Sequence, residues 1–242
     1  MNIKRLIPNL FTMLNLFCGC LALTAVSFND FESAFYFVAL GIFFDFFDGF
    51  FARKFNVAGP LGVQLDSLAD MVTSGVVPGY VMCQIMILSL QTDSNTFPVS
   101  FFPNLGFIIA LGACYRLAKF NIDTRQSDSF IGLPTPANCL FIASLPLVME
   151  VYPNTLFTEY LSNQWVLIAI TLLSAYVMNA EIPLFSLKIK NFSFVKYKLQ
   201  VFFLVLSIVL IATLKIVAVP LIILIYVLLS VMNNIVTKKA SE

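Results

Sequence analysis

No histidine occurs among the 242 residues. That absence excludes Ser-His-Asp hydrolysis, metal or haem held by imidazole, and any phosphohistidine intermediate. Charge is scarce as well: Asp, Glu, Lys and Arg make up 11% of the chain, against about 25% in soluble domains. A net charge of +1 gives no electrostatic footprint for nucleic acid, and no such partner is expected. The cysteines, Cys18, Cys20, Cys83, Cys114 and Cys139, are odd in number and sit inside apolar runs. They read as packing residues, with no disulfide framework or soft-metal site. Any catalysis must run on carboxylates, Lys, Arg, Tyr, Cys or a metal held by oxygen. What is abundant is apolar surface, 60% of residues, with a mean hydropathy of +0.92.

Apolar stretches long enough to cross a hydrocarbon core of about 30 Å recur along the chain. They predict eight spans near 9–28, 33–52, 63–90, 104–121, 137–152, 164–181, 199–215 and 217–235. Within the third, Gly75, Pro78 and Gly79 predict a kink or break near Pro78. Lys4, Arg5, Arg53, Lys54, Arg116, Lys119, Arg125, Lys188, Lys190, Lys196, Lys198, Lys238 and Lys239 all fall on one side of such a bundle, and only Lys215 falls on the other. The opposite loops carry Asp30, Glu32, Asp93, Glu150 and Glu159. Positive charge stays in the cytoplasm, so both termini are expected inside. The fold class is an all-α polytopic membrane protein, one integral membrane domain over 1–242. Its catalytic core is expected at about 8–181, with two additional C-terminal spans at about 199–235. No cleavable signal peptide is expected, because the first apolar run is long and no small-residue cleavage site follows it.

Ionisable side chains inside a span are costly and mark function by default. Four aspartates meet that description: Asp45 and Asp48 in the second span, Asp66 and Asp70 in the third. At helical pitch Asp45, Asp48, Gly49 and Ala52 share one face with Arg53 at its edge, while Phe46, Phe47, Phe50 and Phe51 take the other. Gly62, Asp66 and Asp70 follow an i, i+4, i+8 line. The short connection at Gly59-Pro60 forces the two helices antiparallel, so the carboxylate pairs meet near the cytoplasmic boundary. Crowded carboxylates repel unless cations neutralise them, and a set of hard oxygens points to Mg²⁺ or Mn²⁺, with Ca²⁺ also possible. Two such ions form a clamp suited to displacement at phosphorus, and Arg53 offers a fork of donors to a phosphate oxygen. The plainer reading, aspartates solvated at helix ends, leaves the shared glycine-lined faces unexplained.

The segment Asp45-Phe-Phe-Asp48-Gly49-Phe-Phe-Ala52-Arg53, then eight residues, then Gly62-Val-Gln-Leu-Asp66-Ser-Leu-Ala-Asp70 resembles the signature of the CDP-alcohol phosphotransferases, with every fixed position filled. The resemblance implies an integral membrane enzyme that displaces CMP from a CDP-linked lipid or alcohol, using two divalent ions and no covalent intermediate. It implies metal ligation by Asp45, Asp48, Asp66 and Asp70. Asp70 would also be the general base, and Gly49, Ala52, Arg53 and Gly62 would shape the pocket for the cytidine diphosphate. Pro8-Asn9-Leu-Phe-Thr12-Met-Leu-Asn15, Ser74-Gly75-Val-Val-Pro78, Tyr115-Arg116-Leu117-Ala118-Lys119-Phe120-Asn121 and Gly132-Leu133-Pro134-Thr135-Pro136-Ala137-Asn138 resemble the branch whose acceptor is serine. Lys119 departs from that branch, where arginine is usual. The implied partners are CDP-diacylglycerol, L-serine and membrane lipids. The nearest rival keeps the chemistry with glycerol 3-phosphate, an inositol phosphate or choline as acceptor. A cation-coupled transporter is the rival from another class.

Several of these residues carry two readings. Thr12 and Asn15, one turn apart, either bond cytosine or ribose, or act as polar glue between helices. Arg116 meets a serine carboxylate or lipid phosphate, or pairs with Asp123 or Asp128. Lys119, Asn121 and Thr135 are candidates for the same acceptor or lipid-phosphate site. Asn138 either joins them or caps the fifth span. Lys188, Lys190, Lys196 and Lys198, interleaved with Phe192, Phe194 and Tyr197, read as an anchor to anionic headgroups. Phenylalanine-rich outer faces suit a homodimer or lipid equally. The expected location is a bacterial inner membrane, with the site facing the cytoplasm.

Overall fold

Two asparagines in the left-handed conformation set the positions of the site helices. The computed structural model describes residues 3–92, 101–123, 130–185 and 198–241. Helix α1 covers Ile3–Ser27 and ends where Asn29 takes φ 59°. There Asp30 N donates to Ala25 O at 3.0 Å and Asn29 N to Val26 O at 2.9 Å, the paired bonds of a Schellman cap with Asn in place of the usual Gly. Asp30 then caps α2, Phe31–Lys54, by accepting from Ser33 N at 3.0 Å. The end of α2 repeats the device: Asn56 has φ 53°, Val57 N donates to Ala52 O at 3.0 Å and Asn56 N to Arg53 O at 3.2 Å. After so short a connection, Pro60 opens α3, Pro60–Asp70, at a first-turn position where its missing N–H costs nothing. Both turns are therefore tight; α2 runs antiparallel against α1, and α3 packs on α1 as well.

The third helical stretch does not break at Pro78. Instead α3 runs through a π-helical turn, Met71–Val76, into α4, Val77–Thr92. Pro78 has no N–H to donate to the Ser74 carbonyl and its ring crowds that carbonyl; one wider turn placed just before it absorbs both effects. A 3₁₀ turn at Phe102–Phe107 leads into α5, Ile108–Ile122. Then come α6, Thr135–Val151, a short α7, Leu156–Leu161, and α8, Gln164–Asn179. A two-residue antiparallel ribbon, β1 Phe130–Ile131 with β2 Pro183–Leu184, ties the entry of α6 to the exit of α8. Helices α9, Lys198–Leu214, and α10, Ala218–Ser241, meet at Lys215, which has φ 51°. Phe203 packs on Tyr226, and the two lie nearly equidistant from Lys215 in sequence, so α9 and α10 form a hairpin.

The interior is closed by Val26, Val38, Val77, Met82, Met86, Ile109, Ile142 and Leu167. The outside is apolar too, with Phe43, Phe46, Leu111, Leu172 and Ile208 exposed. A surface of this kind is stable against lipid and not against water. Among the described residues five helical stretches are long and apolar enough to cross a bilayer, and Thr135–Val151 and Gln164–Asn179 are shorter apolar helices. The chain is an all-α polytopic membrane protein. The expected contributions of Asp93, Arg125, Asp128, Lys188, Lys190, Lys196, Phe192, Phe194 and Tyr197 fall outside the described residues, as do the side chains of Lys238 and Lys239.

Candidate active site

Helices α2 and α3 bring the aspartates together. One carboxylate oxygen from each of Asp45, Asp48 and Asp66 lies within 4.8 Å of the others. Asp70, one turn beyond Asp66, is buried. The donor set is oxygen only, and its crowded negative charge suits a hard divalent cation.

Helix α1 supplies the donors that hold this cluster. Thr12 Oγ1 donates to Asp48 Oδ2 at 2.6 Å, and Asn15 Nδ2 donates to Asp70 Oδ1 at 3.1 Å. Both residues are buried. In this structure both side chains make polar contacts between helices, and the contacts are made to the aspartates of the site. Asn15 is itself fixed from behind. Thr73, in the π turn, donates from Oγ1 to Asn15 O at 3.0 Å, and its own carbonyl accepts from Cys139 Sγ at 3.3 Å. A Cβ added at Gly41 would come within 2.9 Å of both Asn15 Oδ1 and Thr73 Cγ2, so only glycine lets α2 approach this closely.

A cleft of about 410 Å³ opens beside the cluster, with Thr12, Asp48, Gly49, Arg53, Gly62 and Asp66 on its walls. The Arg53 guanidinium lies over Gly49, where an added Cβ would stand 3.2 Å from Arg53 Nη1. At Gly62 nothing lies within 4 Å of an added Cβ. Packing therefore does not demand glycine there, and the cleft is what benefits from the missing side chain. Ala52 lines the cleft as well.

The accessory candidates separate. Arg116 is buried beneath Phe120, with its guanidinium carbon 5.8 Å from the ring centroid, and its Nε has no hydrogen-bond partner among the described residues. Asn121 Nδ2 donates to Ser67 Oγ at 2.8 Å, beside Asp66 on α3. Lys119 instead pairs with Glu181 at 3.7 Å on the surface. Thr135 is buried at the start of α6. Asn138 does not cap α6: Pro134 occupies that position, and only the Asn138 backbone N–H bonds back to Pro134 O, at 3.0 Å. Its side chain is buried, and neither Nδ2 nor Oδ1 has a hydrogen-bond partner among the described residues.

Arg5 and Asn9, on the cleft wall two turns and one turn before Thr12 respectively, are not among the candidates the sequence motifs single out for the site. Their signal was available: Arg5, Pro8, Asn9 and Thr12 follow i, i+3, i+4, i+7, the single-face spacing of a helix. By charge alone Arg5 reads as a residue that sets topology.

Comparison with known proteins bears on what a carboxylate cluster of this spacing does. The family model described as CDP-alcohol phosphatidyltransferase matches residues 5–177. The chain belongs to the CDP-alcohol phosphatidyltransferase family. A curated relative from Bacillus subtilis (strain 168), named CDP-diacylglycerol--serine O-phosphatidyltransferase, is 38% identical over 144 residues, covering 57% of this chain and 75% of the relative. One of the same name from Helicobacter pylori (strain ATCC 700392 / 26695) is 32% identical over 203 residues, covering 83% of this chain and 78% of the relative. An archaetidylserine synthase from Methanothermobacter thermautotrophicus is 31% identical over 170 residues, covering 69% and 66%. The family match takes in α1 to most of α8, and therefore all of the cleft, while α9 and α10 lie beyond it.

Proposed function

We propose that this chain transfers the phosphatidyl group of CDP-diacylglycerol to L-serine, giving phosphatidylserine and CMP. The observation that carries the reading is the meeting of Asp45, Asp48 and Asp66 beside an Asn15-held Asp70, in a chain whose relatives bear that enzyme's name. Asp45, Asp48, Asp66 and Asp70 would hold two divalent ions, Mg²⁺ or Mn²⁺, which when bound neutralise charge on the diphosphate and on the departing CMP.

The residues of the chain do the rest. Arg53, at the mouth of the cleft, faces a phosphate oxygen with a fork of donors. Gly49, Ala52 and Gly62 leave room for the cytidine diphosphate. Asp70, aimed by Asn15, takes the proton of the serine hydroxyl as that oxygen attacks phosphorus; the new O–P bond forms and the bond to CMP breaks. Arg116, buried and with Nε unpartnered among the described residues, would meet the serine carboxylate. The lipid's acyl chains remain in the bilayer.

The whole chain forms one integral membrane domain with eight spans. Both termini are cytoplasmic, and the cleft faces the cytoplasm of a bacterial cell across the inner membrane. The distribution of Lys and Arg supports this orientation.

One assay tests the reading. Purified protein is given CDP-diacylglycerol and Mn²⁺ or Mg²⁺, with serine, glycerol 3-phosphate and inositol phosphate in parallel. Serine-dependent CMP release that disappears on chelation and in Asp70→Asn supports it. Release with glycerol 3-phosphate alone replaces the acceptor, and no release with any acceptor overturns the enzyme reading.

A further inference from the structure

The C-terminal hairpin grips the outer edge of the ribbon that leads into α6. In that ribbon Gly132 N donates to Ile182 O at 2.9 Å, and Ile131 and Phe130 stand opposite Pro183 and Leu184. Successive residues of a strand turn to opposite edges, so Ile182 and Leu184 face β1 while Pro183 and Phe185 present their carbonyls outward. Among the described residues no third strand covers that outer edge. Helix α10 covers it instead. Tyr226 Oη donates to Phe185 O at 3.0 Å, and Asn234 Nδ2 donates to Pro183 O at 2.6 Å. Pro183 has no N–H of its own, so side-chain donors suit what this edge offers. The Phe185 ring is held as well, with its centroid 4.8 Å from that of Tyr226 on α10 and 5.8 Å from that of Phe203 on α9.

The other edge of the ribbon leads toward the aspartates. Two residues per strand are too few to hold their own register, so whatever grips β2 also fixes β1. Directly after β1, Gly132 takes φ 75°, a conformation that favours glycine, and an added Cβ would run into Met178 O. Leu133 N donates to Val177 O at 3.0 Å, and Pro134 then opens α6 with Thr135 buried in its first turn. One turn on, Cys139 Sγ donates to Thr73 O at 3.3 Å. Thr73 holds Asn15, and Asn15 orients Asp70. The path from α10 to Asp70 thus runs through hydrogen bonds and short rigid segments.

We infer that Tyr226 and Asn234 are positioning residues for the transfer reaction: by holding the Phe185 and Pro183 carbonyls they fix residues 132–135, and with them the seating of α6 against the π turn behind Asp70. The inference rests on the reading of Asp70 as the base. Both residues lie beyond the part of the chain that matches the family. Neither lines the acidic cleft, whose walls come from α1, α2, α3 and the turn between α2 and α3. Releasing them should leave CDP-diacylglycerol binding in place and misplace the base. A displacement of about 1 Å caused by a change remote from the chemistry can cost about 100-fold in rate.

The test uses the full chain in detergent with CDP-diacylglycerol, serine and Mn²⁺. Tyr226→Phe with Asn234→Ala removes both donors and keeps the aromatic ring. In this double variant kcat for CMP release should fall at least about five-fold, while KM for CDP-diacylglycerol changes less than about two-fold. A second measurement needs no turnover: alkylation of the native cysteines by N-ethylmaleimide, read residue by residue by mass spectrometry. Cys139 is fully buried, and Cys83, buried on α4, serves as the remote control. Local opening at α6 should make Cys139 react at least about five-fold faster with Cys83 unchanged. Tyr226→Phe alone should move kcat and the Cys139 rate in the same directions by less. Either readout staying at the parent's value in the double variant overturns the inference. So does a Cys83 rate that rises with that of Cys139, which would mark general loosening. A parent that releases no CMP with any acceptor defeats the reaction reading alone; the Cys139 rate then decides by itself whether the hairpin seats α6.

Discussion

Asn15 Nδ2 and Asp70 Oδ1 are 3.1 Å apart although the residues stand 55 positions apart in sequence. This single bond joins α1 to the end of α3, where the helix widens into its π turn. It orients Asp70, and Asn15 is in turn held by Thr73 from the same turn. Asp70, Asn15 and Thr73 therefore form a short closed circuit, with Gly41 giving the room for it.

Replacing Asn15 by Ala removes that orientation while leaving Asp70 present. Partners that orient the ligands of a metal site typically carry 10–100-fold in activity or metal affinity. The expected result is a kcat lowered about 10–100-fold with little change in KM for CDP-diacylglycerol. Steady-state CMP release at several lipid mole fractions checks it. A change in KM alone would place Asn15 on the nucleotide instead.

Thr12→Val deletes the hydroxyl that donates to Asp48 at 2.6 Å while keeping the volume. The variant should need about 10–100-fold more Mn²⁺ or Mg²⁺ for half-maximal activity, and Thr12→Ser should restore most of the affinity. Metal titration of both variants distinguishes a role at the carboxylate from one in packing, since packing would not follow the hydroxyl.

Gly41 and Gly62 should respond oppositely to alanine. At Gly41 the added methyl meets Asn15 and Thr73, and overpacking of this kind costs about 1–3 kcal/mol. At Gly62 it meets nothing, and an alanine within a helix is favoured over glycine by about 0.5–1 kcal/mol. Thermal unfolding in detergent should show a lowered melting temperature for Gly41→Ala and an unchanged or raised one for Gly62→Ala. The latter variant should still bind CDP-diacylglycerol more weakly, because the methyl enters the cleft.

Lys119 and Arg116 lie one helical turn apart on α5 and should differ sharply. The Lys119–Glu181 pair is exposed, and such pairs contribute about 0–1 kcal/mol. Lys119→Gln should change serine KM less than about two-fold, well within that range. Arg116→Gln should raise serine KM by at least ten-fold, consistent with about 1.5–3 kcal/mol for a hydrogen bond to a charged group. Serine titration at saturating lipid measures both.

Hydropathy and helical pitch, which are local, were enough to place every helix that carries the site, and they put Asp45 with Asp48 and Asp66 with Asp70 on single faces. The family signature lies within 26 contiguous positions, from Asp45 to Asp70, and needed no tertiary knowledge. The partners of those carboxylates were another matter. That Thr12 reaches Asp48, Asn15 reaches Asp70, Arg5 lines the cleft and Lys119 turns to Glu181 depends on how α1 and α8 lie against the other helices. Asn138 illustrates the division most clearly. Its sequence neighbours suggest either the acceptor site or a helix cap, whereas in the packed structure Pro134 takes the cap position, Asn138 is buried, and the next residue, Cys139, bonds the Thr73 carbonyl. The sequence determined the spans, the acidic faces and the family because each is written in short-range periodicity and spacing. Only the tertiary structure decided which side chains hold the acids and which face away, because side chains on separate helices meet only once the helices have packed.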